Sequence, residues 1–139
     1  MFRFYLVALL AAATTASYAA ATCAGADPSI ASVTVKNVTQ SAGLNNYNIE
    51  GTVTNLGGAG QAKDLLQSVD IYLGTEKLDA KSIPPLGPGQ SATFDYTFQR
   101  SKDAGTGTTS LHFVLDEHSK GSDAGQDCNQ GNDQNDVVF

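Results

Sequence analysis

The strongest constraint on this chain is a two-residue alternation of apolar and polar side chains, repeated in short runs and interrupted by glycine and proline. Val33 and Val35 alternate with Ser32, Thr34 and Lys36. Tyr47, Ile49, Gly51 and Val53 alternate with Asn48, Glu50, Thr52 and Thr54. The same pattern returns at Val69-Ile71-Leu73, Phe94-Tyr96-Phe98 and Leu111-Phe113-Leu115, and a short last run covers Asp136 to Phe139. A period of two puts one face of each segment in a core and the other in water, which is the signature of half-buried antiparallel strands. Leu78 to Ile83 is a weaker segment and reads as an edge strand with Lys77 and Lys81 turned to solvent. No stretch carries an apolar stripe of helical period over three turns. The best candidate, Ala59 to Leu66, is short and has Gly60 near its start.

The punctuation agrees with strands. Asn55-Leu56-Gly57-Gly58, Leu73-Gly74 and Ala104-Gly105-Thr106-Gly107 have turn composition. Pro84, Pro85 and Pro88 remove backbone donors, so the stretch around them is a loop or corner and not a central strand. About seven strands fit the length, and the expected architecture is all-β: one immunoglobulin-like antiparallel β-sandwich. The antibody-type core is excluded, because the chain has no Trp and Cys23 precedes the first strand.

Residues 1–21 read as a secretory signal peptide. Arg3 supplies the positive start, Phe4 to Ala13 is an unbroken apolar run too short to span a bilayer comfortably, and small residues offer cleavage after Ala19 or Ala21. Residues 22–139 then form the single folded domain, exported to the periplasm or the cell exterior. The two cysteines, Cys23 and Cys128, pair as a disulfide in this reading, as suits an exported chain with an even cysteine count. The alternative is lipidation of Cys23, which would tether the chain to a membrane. The preceding Ala20-Ala21-Thr22 does not fit the usual lipidation pattern. The formal net charge of −6 and only 8 Lys and Arg argue against nucleic acid, whose phosphates require a basic stripe.

The order of turn and strand motifs resembles the CARDB family, the cell-adhesion-related immunoglobulin-like module of bacteria, and its APHP relatives. The matching features are Asp27-Pro28, Val53-Thr54-Asn55-Leu56-Gly57, Ala62, Tyr72-Leu73 and the run Ile83-Pro84-Pro85-Leu86-Gly87-Pro88-Gly89-Gln90-Ser91. The resemblance covers nearly all of the chain from Asp27 onward. It implies a sandwich fold, an extracytoplasmic setting and a non-catalytic binding or spacer role, with an unidentified protein or cell-surface glycan as partner. Read on their own chemistry, Asn55 and Gly57 are turn devices, suited either to a positive φ or to a side-chain hydrogen bond within the turn.

One segment has the composition of a site. After Leu115 the chain carries Asp116, Glu117, Asp123, Asp127 and Asp133, interleaved with Asn129, Asn132 and Asn135, against a single Lys120. Oxygen donors at this density suit Ca²⁺, which takes six to eight of them in flexible geometry. Their spacing does not match an EF-hand loop, and a solvated acidic loop accounts for the same composition. His112 and His118 are too few and too far apart for a transition-metal site. No nucleophile–base motif is present, so no catalytic residue and no cofactor other than calcium is assigned. Two readings follow: a non-catalytic binding or adhesion module, or a structural module stabilised by calcium at the acidic loop. A small secreted enzyme or inhibitor is the third.

The leader and the cysteine state are tested together by the intact mass of the exported protein. The expected chain begins at Ala20 or Thr22 and is two protons lighter before reduction than after. A chain that begins at Cys23 and carries acyl mass would contradict this.

Overall fold

The computed structural model describes residues 23–118 and 127–139. The predicted leader, together with Asp123 and Lys120, lies outside the described residues. Seven strands form two antiparallel sheets: β1 (Pro28–Ser41), β2 (Leu44–Asn55) and β5 (Ser91–Ser101) in one, and β4 (Glu76–Ile83), β3 (Leu66–Leu73), β6 (Ser110–His118) and β7 (Gln134–Val138) in the other, in those spatial orders. A short 3₁₀ turn, Gln130–Asn132, precedes β7. The seven-strand sandwich expected from the alternation is therefore what forms, and β4 occupies an edge. Lys77 is exposed as expected, but Lys81 is half-buried, opposite core residue Val69 and 5.7 Å from the centre of the Tyr96 ring, because a register shift in the β3–β4 ladder separates the two lysines.

The alternating residues meet where the period requires. Ile49 and Val53 from β2, Phe94 and Phe98 from β5, Val69 and Ile71 from β3, and Leu111, Phe113 and Leu115 from β6 form one core between the sheets. Phe139 closes it at one end, with its ring centroid 4.4 Å from Tyr47 and 5.4 Å from Phe98. A pair of irregularities in β1, after Ile30 and after Val35, lets this edge strand follow β2 over its whole length while Val33 and Val35 stay only half-buried.

The opposite end is closed by Asn55. This residue is fully buried, and its amide uses both its donors and its acceptor. Its Oδ1 accepts from the backbone N–H of Asp27 and of Gly57, each at 3.0 Å. Its Nδ2 donates to the carbonyls of Ala59 at 2.8 Å and Leu86 at 3.0 Å. Its backbone bonds to the Pro-Gly corner through Gln90 and Gly89. Of the two turn devices anticipated, the side-chain hydrogen bond is the one used. Asn55 and Gly57 do not have positive φ, whereas Gly89 does, at 71°. Gly57 is required for another reason: a Cβ there would collide with the carbonyl oxygen of Gly25.

One amide thus joins the segment before β1, the β2–β3 turn and the β4–β5 corner. Asn55→Ala leaves the Asp27 and Gly57 N–H groups and the Ala59 carbonyl without partners, while the Leu86 carbonyl keeps the Gln61 N–H, and it is expected to lower unfolding free energy by about 3–5 kcal/mol. Asn55→Asp is expected to be comparably damaging, since a carboxylate would face the Ala59 and Leu86 carbonyls. Urea unfolding measures both. A loss under about 1 kcal/mol for Asn55→Ala would contradict the assignment.

Candidate metal centre

The end that Asn55 closes is also where the acidic residues gather. Because Leu56 N–H donates to the Asp27 carbonyl at 2.7 Å and Gly58 N–H to the Cys23 carbonyl at 2.9 Å, the N-terminal segment is laid along the β2–β3 turn. Cys23 there forms a disulfide with Cys128, 105 positions further along the chain, with Cα atoms 6.1 Å apart. The pairing expected from cysteine count is the one present. Its sulfur is not free to carry a thioether lipid. The Cys128 N–H donates to the Ala26 carbonyl at 3.2 Å, which fixes the neighbouring Asp127 against the same segment.

From Asp127 to Asp133 the backbone is ordered by successive side-chain turns. Asp127 Oδ1 accepts from the Asn129 N–H at 2.9 Å, and Asn129 Oδ1 accepts from the Gly131 N–H at 3.3 Å as the cap of the 3₁₀ turn. Asn132 Nδ2 donates to Asp27 Oδ1 at 2.9 Å, and Ser29 Oγ donates to the Asn132 carbonyl at 3.2 Å. Leu115 N–H donates to the Asp133 carbonyl at 2.8 Å, which seats the loop on the end of β6.

Strand parity then decides which carboxylates share the pocket. Glu117 follows Leu111, Phe113 and Leu115 on the inner face and so reaches the open end of the core. There Gln61 Nε2 donates to it at 2.8 Å. Glu117, Asp127 and Asp133 line one open pocket of about 500 Å³ with Gln130 and Gln134. Asp116 borders the pocket but has the opposite parity, and its Oδ2 pairs with His118 Nε2 at 3.0 Å. His112, also on the outer face, pairs with Asp136. The pocket therefore brings together Glu117, Asp127 and Asp133 of the five carboxylates singled out by sequence, with Asp116 at its border. Asp123 lies outside the described residues.

One participant escaped the sequence reading. Asp27 is buried, at 7% exposure, beside the cluster, and Asn132, already named among the oxygen donors of the acidic segment, is bound to it. Asp27 was legible only as part of an Asp-Pro strand start. Its contribution depends on the disulfide and on Asn55, which fold the N-terminal segment back.

The electrostatics of the cluster are unfavourable as they stand. Burial pushes the Asp133 carboxyl up to about 8, and its contact with Asp127 and the charges of Asp127, Glu117 and Asp27 push in the same direction. Glu117 is raised by burial and by Asp127, with the Gln61 hydrogen bond opposing. Asp70, on β3, is the contrast. Burial would raise it too, but the Lys77 hydrogen bond and charge, with Ser68 and Tyr72, outweigh burial and hold it below its ordinary value. Asp70 has a cation of its own, and among the described residues the pocket carboxylates have none. With both carboxyls ionised, Asp127 Oδ2 and Asp133 Oδ1 are buried without a hydrogen-bond partner, as is Asn132 Oδ1; a proton on Asp133 is what lets the two carboxyls bond to each other. Hard carboxylate oxygens of Glu117, Asp127 and Asp133 gathered in one pocket without a cation among the described residues have the chemistry of a calcium or magnesium site. They are gathered but not closed: among the described residues no three acidic, histidine or cysteine side chains already encircle one point.

A family model, CARDB, matches residues 25–133. The chain belongs to the CARDB family. This makes it an adhesion-related β domain, and the matched span holds the whole motif series from Asp27 to Ser91 that first suggested the resemblance. A search of curated proteins returns no match. Among solved structures, the chain is similar to the crystal structure of the CARDB domain of a Pyrococcus furiosus protein in complex with di-metal ions. The TM-score is 0.55 at 18% identity, covering 90% of this chain and 98% of the other. At that identity the likeness establishes the CARDB sandwich and not its ligands.

The disulfide holds both the N-terminal segment and the acidic turn of this CARDB domain. Replacing Cys23 and Cys128 together by Ala is expected to cost about 2–5 kcal/mol in urea unfolding. A change below about 0.5 kcal/mol would show that the end is held without it.

Proposed function

We propose that this chain is an exported, non-catalytic adhesion-type module whose acidic end is ordered by a divalent cation, calcium by preference. The observation that carries the reading is the gathering of Glu117, Asp127 and Asp133 in one pocket, with buried oxygens of Asp127 and Asp133 that no N–H or cationic donor meets and with Asn132 Oδ1 buried and unpaired in the same turn. A cation there would remove the like-charge repulsion that otherwise forces Asp133 to hold a proton, and would supply partners for all three oxygens. Glu117, Asp127 and Asp133 would hold it, with Asn132 Oδ1 as a neutral donor. The ion's contribution is structural: charge neutralisation and cross-linking of β6 to the acidic turn.

Three facts support the wider reading. The disulfide is chemistry of an oxidising compartment. The leader-like start is consistent with export. The family is adhesion-related, and its relative from Pyrococcus furiosus was crystallised with two metal ions. In a sandwich, loops clustered at the ends of rigid strands are where recognition is placed, so the cation-ordered end is the surface offered to a protein or glycan on a cell surface.

Thermal unfolding of the mature protein, stripped with EDTA and titrated with CaCl₂, tests the proposal. Extracellular calcium modules bind at about 10⁻⁴–10⁻³ M, so about 5 mM calcium should add about 1–2 kcal/mol and raise the midpoint by several degrees. Asp127→Asn with Asp133→Asn should abolish the rise, while the stripped variant melts no lower than the stripped parent because the repulsion has gone. No shift of the parent with calcium or magnesium would overturn the cation reading.

A further inference from the structure

The far end of the sandwich, remote from the acidic pocket, carries a cationic one. β2 and β5 run on beyond the facing sheet, and their last inner-face pair is Asn45 opposite Arg100. Arg100 continues the inward parity of Phe94, Tyr96 and Phe98. Its position is one where alternation calls for an apolar residue, and it is only 8% exposed. The guanidinium is held by neutral acceptors alone: Nη2 donates to the Gly105 carbonyl and, at 3.3 Å, to Thr108 Oγ1. Its carbon stands 6.0 Å from the centre of the Tyr47 ring. Nε has no partner, and neither does Asn45 Oδ1 beside it. Among the described residues neither Arg100 nor Lys102 forms an ion pair. A buried guanidinium without a counter-charge is costly to keep, in a chain whose net charge of −6 gives it more carboxylates than cations to choose from.

These residues border an open cavity of about 380 Å³, with Lys102 at its rim and Tyr47, Phe139, Val35 and Val138 as apolar wall. The size suits one small organic molecule. We propose that this cavity is a binding site for a small carboxylate with an apolar body, the carboxylate meeting Arg100 and Lys102 and the body lying against Tyr47 and Phe139. Charge complementarity selects the carboxylate, since planar guanidinium and carboxylate groups match in geometry. The apolar wall selects the body over a sugar acid. The site is independent of the cation at the other end, and its failure would leave that reading untouched.

The test follows the Arg100 Nε–Hε resonance by ¹⁵N–¹H NMR, which is assignable because Arg3 is the only other arginine. The mature protein is titrated with 3-phenylpropionate, with its neutral isostere 3-phenylpropanamide and with galacturonate, at constant chloride. The expected result is a saturable shift with phenylpropionate at millimolar concentration, and binding of the amide weaker by about tenfold or more. Arg100→Gln should abolish binding. Lys102→Gln, at an exposed position, should weaken it and keeps the test open should the first variant fail to fold. No saturable shift by about 50 mM, an equal response to the amide, or tighter binding of galacturonate would each overturn the proposal.

Discussion

The buried amide of Asn55 is the interaction on which the rest of this domain's architecture depends. A β-sandwich is held by its core, but its ends are a backbone problem: strands stop, carbonyls and N–H groups lose their ladder partners, and water is partly excluded. Here one side chain with two donors and one acceptor capable of two bonds meets four backbone groups from three separate segments. Leu or Ala at this position would pack but could not satisfy them, and Asp could satisfy only two. Because Asp27 is among the partners, the amide also sets where the chain enters the domain. Cys23 and Cys128 are thereby brought within bridging distance, and the turn that bears Asp127 and Asp133 is pinned over the end of the core.

That arrangement places charge as well as backbone. The two ends of the sandwich carry opposite unpaired charge. At one, Glu117, Asp127 and Asp133 crowd together and Asp133 retains its proton far above the ordinary range. At the other, Arg100 is buried among neutral acceptors. The Asp70–Lys77 pair on the outer face of the larger sheet shows the same chain supplying a counter-ion to a buried carboxylate. The contrast gives the two ends their meaning as sites, since groups left unpaired in a fold that pairs others invite partners from outside.

Strand parity made much of this legible from the sequence. Alternation located the seven strands and the inward faces of the central ones, and the lysines marked β4 as an edge, although Lys81 lies over Tyr96 and not out in solvent. The cysteine count gave the disulfide, and the run from Ile83 to Ser91 gave the family. Parity also separates Glu117 from Asp116, although composition alone grouped them, because adjacent residues on a strand point to opposite faces. What was not legible depended on closure in three dimensions. Asn55 looked like any turn asparagine until the segments it joins were in place. Asp27 looked like a strand start, and its nearness to Asp133 rests on the disulfide and the Asn55 bonds. Arg100 carried a signal that alternation offers but composition hides: a charged residue at an inward position, next in line after Phe98.

The central claim, that the acidic end is a divalent-cation site, is tested most directly by diffraction from crystals grown with manganese as a calcium substitute. Anomalous scattering locates the ion without reference to any model of the pocket. The account predicts a peak within about 2.1–2.6 Å of carboxylate oxygens from Asp127 and Asp133, with Glu117 or Asn132 completing the protein ligands. Strong data that show no peak in the pocket, or a peak only on surface carboxylates elsewhere, would contradict it.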